Sequence, residues 1–339
     1  MLEGLRTPTE VIVIVVTLLT YGCPVQAIVH AYGLDERTVA DWRDRAGKQC
    51  QRVQEALVHQ EGLDLVHVQA DEIRVKGSGM IAWMGLAMMV STRLWLAGVV
   101  SQTRDHHLAD RLLCHVRACS LPARALLVAT DGWKAYPESI KRAFRDKVKV
   151  TLGRGRTRLR LWTQLCIVTV IKRAEKRHVV EVTRRLSWGS ENQANELLTQ
   201  SAGGSVWNTA FIERLNGTFR ERFAVLTRKC RHAAHRLTAV ETGMYLIGCT
   251  YNFCVVHQQL SQAGKLSTPA MAAGLTDHLW SIEEVLTFKV APAVWMPPKR
   301  AYKRKDPTVP KRPRGRPRIH PLPDPTLPKR PRGRPRKTV

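Results

Sequence analysis

The spacing of the apolar residues changes near Leu63, and this change limits the chain to a helical part followed by a part built on a β-sheet. Upstream of Leu63 the apolar residues recur with the spacing of helices. Downstream they form short alternating or continuous runs of strand length. The pattern predicts three strands, a helix and a fourth strand, over residues 66–75, 81–90, 94–100, about 105–119 and 125–130.

The segments that follow extend the predicted sheet. They indicate a helix over 133–144, strands over 148–152 and 178–186, a helix after Trp207 and a helical segment over 238–259. This order suits an α/β fold with an RNase H-like mixed sheet flanked by helices. We expect four parts: an all-α helix-turn-helix with a linker helix (1–62), an RNase H-like catalytic domain (63–226), a helical C-terminal extension of it (227–297) and a disordered basic tail (298–339).

The first part carries a helix-turn-helix pattern. Thr7-Pro8-Thr9-Glu10 predicts a helix start with a hydroxyl cap, and Gly33 supplies the turn between the second and third helices. Val39 and Trp42 are expected on the inner face of the third helix. Four side chains then face outward: Arg37, Thr38, Arg43 and Arg45. This helix is expected to read the major groove of DNA, although the same pattern fits a three-helix scaffold or a dimerisation unit.

The charge of the chain points to a polyanionic partner. Its 54 Lys and Arg residues against 28 Asp and Glu give a formal charge of +26, which favours nucleic acid over an anionic membrane surface. The apolar run at 11–19 is shorter than the roughly 20 residues that cross a bilayer, so no membrane partner is expected. The eight cysteines form no CxxC pair, which indicates free thiols in a reducing compartment, the bacterial cytoplasm with its nucleoid.

The end of the chain contains the string PKRPRGRPR twice, at 310–318 and 328–336. From residue 299 onward there are 16 Lys or Arg and 2 Asp, and such a segment is expected to be disordered alone. The repeats resemble AT-hooks, which implies binding in the minor groove of A·T-rich DNA, while a simple basic tail is the alternative. Their cores are Arg314, Gly315, Arg316 and Pro317, and Arg332, Gly333, Arg334 and Pro335.

Three acidic residues are the candidates for catalysis. Asp71 lies inside the first predicted strand, Asp131 follows the fourth, and Glu213 lies on the helix after Trp207. An acid in an apolar strand is costly unless it is solvated, paired or bound to metal, and the end of a strand is where α/β sheets place functional groups. The three carboxylates suit Mg²⁺ or Mn²⁺ as oxygen ligands, and two ions could be shared between them for phosphodiester chemistry.

Each acid also has an ordinary interpretation. Asp71 could pair with an arginine, Asp131 could begin a turn before Gly132, and Glu213 could pair with an arginine of its own helix. Glu72 is the rival for the first position, but strand alternation is expected to turn it to the other face of the sheet.

Four strings resemble the catalytic core of bacterial insertion-sequence transposases, over roughly residues 66–280: ADE, TDGWKAYP, NTAFIERLNGTFRER and YNFCVVH. The resemblance implies an RNase H-like fold and a DDE triad of Asp71, Asp131 and Glu213. It also implies a phosphate contact by Arg220 and a place for Asn216 beside the substrate. In YNFCVVH, Val255 and Val256 replace the Arg-Pro pair of the related form YNFxRPH.

The resemblance implies a DNA transposase. Such an enzyme would bind the terminal repeats of an insertion element, cut there with metal-activated water and join the freed 3′ hydroxyl to target DNA, working as a homo-oligomer on DNA. Two alternatives remain at this point. One is a nuclease of the same fold that cleaves without joining, and the other is a transposase-derived DNA-binding regulator that has lost its catalytic activity.

Overall fold

A six-stranded mixed sheet organises the structure, with the strand order β3-β2-β1-β4-β7-β8. The computed structural model describes residues 2–60, 62–148, 157–176, 178–227, 233–261 and 265–291. β1 pairs in parallel with β4 and β4 in parallel with β7, whereas the other neighbouring pairs are antiparallel. The six strands of this sheet are β1 (Val66–Lys76), β2 (Ile81–Met89), β3 (Trp95–Ser101), β4 (Leu126–Asp131), β7 (Leu165–Glu175) and β8 (His178–Trp188). Two further strands, β5 (Arg145–Val148) and β6 (Arg158–Leu161), pair with each other.

Helices cover both faces of this sheet. They are α1 (Thr9–Thr20), α2 (Val25–Tyr32), α3 (Glu36–Leu57), α4 (His106–Cys119), α5 (Ala135–Ala143), α6 (Glu191–Gln200), α7 (Ala210–Arg222), α8 (Leu237–Phe253), α9 (Pro269–Ala272) and α10 (Ile282–Thr287). The predicted α/β fold, an RNase H-like mixed sheet flanked by helices and preceded by an all-α region, is confirmed. The basic tail and most of the strand predicted at 148–152 lie outside the described residues.

Alternation along the central strands divides the core into two layers. In β4, Val128 packs into the large core with Leu112 of α4 and Ile140 of α5. Its neighbours Leu127 and Ala129 point the other way and pack with side chains of β7 and α6. The central strands are therefore buried on both faces, which explains their nearly continuous apolar sequence.

The three N-terminal helices pack as the pattern predicts. Gly33 ends α2 with a φ of 63°, a conformation that costs glycine little, and Val39 and Trp42 are buried on α3. The predicted hydroxyl cap of α1 is wrong, because Pro8 occupies the cap position and no side chain bonds the free amides. α3 runs on without a break to Leu57, through the segment expected to be a linker helix.

α3 connects the N-terminal helices to the sheet by packing closely on α8. A Cβ atom on Gly47 would lie 2.3 Å from the carbonyl oxygen of Thr242, so only glycine permits this approach. Residues Met1–Ala291 consequently form one compact unit. The four domain boundaries expected from the sequence stay a prediction.

One strand of the sheet and one helix that packs on it were not predicted from the sequence. β7 lies between β4 and β8, and α6 packs on the face formed by Leu127 and Ala129. Within the described residues, no helix is both long and apolar enough to cross a membrane.

Candidate active site

Two of the three candidate acids meet because β1 and β4 are parallel neighbours. Ala70 of β1 is in register with Thr130 of β4, so the next residues along, Asp71 and Asp131, occupy adjacent positions at one edge of the sheet. Asp131 ends its strand, and its Oδ1 accepts a hydrogen bond from the backbone N–H of Trp133 at 3.0 Å. This bond holds the carboxylate where the chain turns toward α5.

The third acid reaches the same edge on α7. Glu213 lies in the first turn of this helix, and its Oε1 accepts a hydrogen bond from Thr209 at 2.6 Å. Gln69 of β1 holds the start of the helix, because its Oε1 accepts from the backbone N–H groups of Phe211 and Ile212 at 3.1 and 3.0 Å. The strand that carries Asp71 thus directly positions the helix that carries Glu213.

A cavity of about 770 Å³ opens between these elements. Asp71, Asp131 and Glu213 all line it, so the structure brings together the three acids that the sequence indicated. Four cations line it as well: Arg104, Lys134, Lys172 and Arg220. A cavity lined by both acids and cations suits an anionic substrate and a bound cation together.

Asp71 is the most strongly perturbed of the acids. Burial, followed by the negative charge of Glu72, raises its pKa to about 7, and the charges of Asp131 and Glu213 add to the shift. Its two oxygens accept hydrogen bonds from the backbone N–H of Glu72 at 2.8 Å and from Asn216 Nδ2 at 2.7 Å. Raised carboxyl pKa values of this kind are common at functional sites.

Glu72 faces the opposite side of the sheet from Asp71, as alternation predicts. Its side chain lies under α5, where Oε2 accepts a hydrogen bond from the hydroxyl of Tyr136 at 3.0 Å, and it also pairs with Arg104. One oxygen of Glu72 nevertheless lies with oxygens of Asp71 and Asp131 in a group whose members are all within 4.8 Å of one another. Burial, more than the neighbouring charge of Asp131, raises the pKa of Glu72.

Two cations next to the acids were missed from the sequence. Arg104 lies 3.6 Å from Asp131 and packs between the rings of Trp83 and Trp133, with its guanidinium carbon 5.2 and 4.8 Å from their centroids. Lys172 pairs with Glu213. The apolar run that ends at Ile171 would have indicated a strand with Lys172 at its end, whereas nothing in the local sequence marks Arg104.

The donor atoms fit a divalent ion of the magnesium type. Two oxygens bound to one Mg²⁺ at about 2.1 Å lie at most roughly 4.2 Å apart, which small side-chain movements reach from the separations seen here. Asn216 Oδ1 is buried at the cavity wall and has no hydrogen-bond partner among the described residues. Carboxylate and amide oxygens are the ligands that Mg²⁺ and Mn²⁺ prefer. The oxygens of Asp71, Glu72 and Asp131 therefore fit such an ion, and Glu213 lines the same cavity.

The other candidate residues lie in two regions. Asn216 is buried and bonds Asp71, while Arg220 lines the acid cavity one turn further along α7. On α3, Arg37 is exposed and Thr38 half-buried, and Arg43 is half-buried and paired with Asp44 at 3.1 Å. DNA contacts by all five residues stay predictions. The cores of the tail repeats, at 314–317 and 332–335, lie outside the described residues.

Comparison with known proteins adds one distant similarity. No protein-family model and no curated protein matches the chain. Among solved structures, it is similar to a chain of the cryo-EM structure of the simian T-cell lymphotropic virus intasome in complex with PP2A regulatory subunit B56 gamma. The identity is 9%, the match covers 84% of this chain and 79% of that chain, and the TM-score is 0.29. A score this low supports no conclusion about function, so the site stands on its own geometry.

Proposed function

We propose that this chain is a DDE-type DNA transposase that cleaves DNA at the ends of an insertion element and joins it to target DNA. One observation carries the proposal: Asp71, Asp131 and Glu213, separated by 60 and 82 residues in the sequence, line a single cavity together with four cations. Phosphodiester chemistry needs oxygen ligands for divalent ions next to cations that hold phosphate.

In this proposal the three carboxylates hold Mg²⁺ or Mn²⁺, with two ions shared among them. When bound, these ions activate the attacking oxygen and stabilise the charge that develops on the leaving oxygen. Asn216 orients the Asp71 carboxylate through its 2.7 Å hydrogen bond, and Trp133 N–H does the same for Asp131. Gln69 keeps Glu213 at the correct distance by anchoring the start of α7.

The four cations that line the cavity serve to bind the DNA backbone. Lys134 and Arg220 line the cavity beside the acids, and Arg104 and Lys172 neutralise Asp131 and Glu213. A phosphodiester in the cavity contacts these cations, and contacts of this kind make the affinity for DNA fall as salt increases. Arg104 is held rigidly between two indole rings, so little side-chain entropy is lost when it binds phosphate.

Recognition of particular DNA is assigned to the two ends of the chain. The exposed part of α3 with Arg37, Thr38 and Arg43 would select the terminal repeats in the major groove, and the twin tail repeats would hold A·T-rich DNA through the minor groove. Cutting two element ends together calls for a homo-oligomer assembled on DNA. The place of action is the cytoplasm, at the nucleoid.

One observation favours a second function, that of a DNA-binding regulator without catalytic activity. Arg104 and Lys172 already pair with acids of the cavity, and a metal ion has to compete with them. If these two cations exclude the metal ion, the chain binds DNA but does not cut it. Metal binding and cleavage therefore separate the two functions, and strand joining separates the transposase from a simple nuclease of the same fold.

The deciding experiment incubates the purified full chain with a labelled element-end duplex, a target plasmid and Mg²⁺ or Mn²⁺. Wild type is compared with Asp131→Ala at protein concentrations that give equal DNA binding. We expect joined products from the wild type and none from the variant. Cleaved but unjoined DNA would indicate the nuclease, and tight binding without cleavage by either protein would indicate the regulator.

A further inference from the structure

A second cavity lies on the other side of α7 from the acid cavity. Its volume is about 280 Å³, and four basic side chains line it together with apolar ones: Arg93, Arg214, Arg222 and His257. No carboxylate is among the described residues that line it. The composition is the reverse of the acid cavity, where carboxylates and cations alternate.

The two cavities use opposite faces of one helix. Glu213, Asn216 and Arg220 are spaced by three and four residues and face the acid cavity. Arg214, Thr218 and Arg222 are spaced by four and face the second cavity. A helix with its side chains is roughly 10–12 Å wide, so the second cavity is separate from the acid cavity.

Three buried polar atoms of residues that line the second cavity lack partners. Arg93 Nε, Arg222 Nη1 and His257 Nδ1 are all buried, and none has a hydrogen-bond partner within the described part of the chain. Buried donors without partners are costly, and a native structure usually explains each of them by an ion or ligand. Two arginine donors and one imidazole nitrogen without partners, on residues that line one small cavity, point to a ligand that accepts several hydrogen bonds.

Arg93 and Arg222 contact aromatic rings rather than acids. Arg93 lies over the ring of Phe211, 3.9 Å from its centroid, and Arg222 lies over Tyr21 at 4.8 Å. Arg214 forms no ion pair with any carboxylate that the structure describes. Burial lowers the pKa of His257, and the positive charges of Arg93 and Arg214 lower it further, so the cavity holds uncompensated positive charge.

We propose that this second cavity is a phosphate-binding site in which Arg93, Arg214, Arg222 and His257 bind one phosphate oxyanion. Guanidinium groups donate several hydrogen bonds in a fixed geometry that suits the oxygens of phosphate. Tyr251, Val255 and Val256 also line the cavity and shield these bonds from water. The phosphate belongs either to the DNA backbone or to a free phosphate compound, since both present the same oxyanion.

The test uses the full chain without metal and compares Arg214→Gln with Arg124→Gln. Both arginines are exposed and neither forms an ion pair with a described residue, so the two variants lose the same charge and are expected to fold. Inorganic phosphate is titrated by calorimetry at constant ionic strength, with chloride as the competing salt. We expect Arg214→Gln to weaken phosphate binding about ten-fold, the effect of losing one charged hydrogen bond, and Arg124→Gln to leave it within about two-fold. Equal phosphate affinity in both variants, or no saturable binding to wild type, would overturn the proposal.

A second arm identifies the source of the phosphate. The affinity for a labelled duplex is measured over a salt series, where each phosphate contact contributes about 0.9 to the slope of log affinity against log salt. A slope reduced by about one in Arg214→Gln alone supports a DNA phosphate. An unchanged slope with lost binding of inorganic phosphate supports a free phosphate compound.

This site is independent of DNA cleavage by the acid cavity. Asp131→Asn leaves all four basic residues in place, so its affinity for inorganic phosphate is expected to match the wild type even if the chain has no nuclease activity. If the wild type cleaves DNA but the Arg214 and Arg124 variants bind phosphate equally, the proposed function is supported and the phosphate site is refuted.

Discussion

Gln69 is the residue whose replacement most directly tests how the acid cavity is assembled. Its side chain is fully buried, and it links β1 to α7 through three short hydrogen bonds. Oε1 accepts from Phe211 and Ile212, and Nε2 donates to the carbonyl oxygen of Asn208 at 2.8 Å. Gln69 precedes Asp71 by two residues on the same face of the strand, so these bonds set the distance between the two acids of β1 and α7.

Gln69→Leu removes these bonds without a large change in volume. Two backbone N–H groups at the start of α7 and one carbonyl group then lose their partner. Each buried unpaired group costs about 1–3 kcal/mol, part of which the apolar leucine side chain recovers, so we expect the free energy of unfolding to fall by about 2–5 kcal/mol. Urea denaturation followed by circular dichroism measures this loss.

Gln49→Leu is the matched control for a change of this kind. Gln49 is also buried, and its Nε2 donates to the carbonyl oxygens of Phe288 and Val285 at 2.8 and 3.4 Å, but these partners belong neither to α7 nor to the lining of the acid cavity. At equal folded fraction we expect Gln69→Leu to lower the cleavage rate at least about ten-fold, because small displacements of reacting groups cost up to 10²-fold. The reasoning is refuted if both variants lose the same activity, or if Gln69→Leu is within about 0.5 kcal/mol of wild type.

Three further predictions concern titration, packing and metal. Burial, and then the charge of Arg93, lower the pKa of His67 to about 3. Between about pH 6.5 and 3 the unfolded chain therefore binds a proton at this residue and the folded chain does not. As pH falls from about 6.5 to 3, wild type should lose about 1.4 kcal/mol of unfolding free energy per pH unit relative to His67→Gln, and a constant difference would contradict this. Gly248→Ala should lower the melting temperature, since its Cβ would lie 2.3 Å from the Trp95 ring, whereas Gly217→Ala has open space and should be neutral or stabilising. Mn²⁺ should raise the melting temperature of wild type but not of Asp71→Asn; an equal rise in both would place the ion elsewhere.

The sequence was sufficient to predict strands β1 to β4 and the positions of the two acids that β1 and β4 carry. Alternation and apolar runs marked β1 to β4, and Asp131 stands where the β4 run stops. Parallel pairing of β1 with β4 then places Asp71 beside it. These features are local, since each depends on a pattern within about ten residues.

The elements that complete the site depend on contacts between distant segments. β7 was missed although its first half is apolar, because its second half, from Ile171 to Glu175, is exposed and charged and lacks the alternation of a half-buried strand. Tyr136 is buried and bonds Glu72, a contact between α5 and β1 that its local sequence does not show. The N-cap prediction for α1 was wrong for a local reason: the helix begins at Thr9, so Pro8 takes the cap position and has no hydroxyl group to offer.

The pairing of charges around the acids could not be predicted from the composition of the chain. The chain has 54 basic residues, so none could be singled out by type. The fold selects two of them: Arg104 approaches Asp131, and Lys172 approaches Glu213. Asp71 receives two N–H donors instead and forms no ion pair within the described residues, which leaves its charge the least compensated of the three. A divalent ion gains most from the acid that lacks a counter-charge, and for that reason Asp71, rather than the two acids with cationic partners, should decide whether the cavity holds metal.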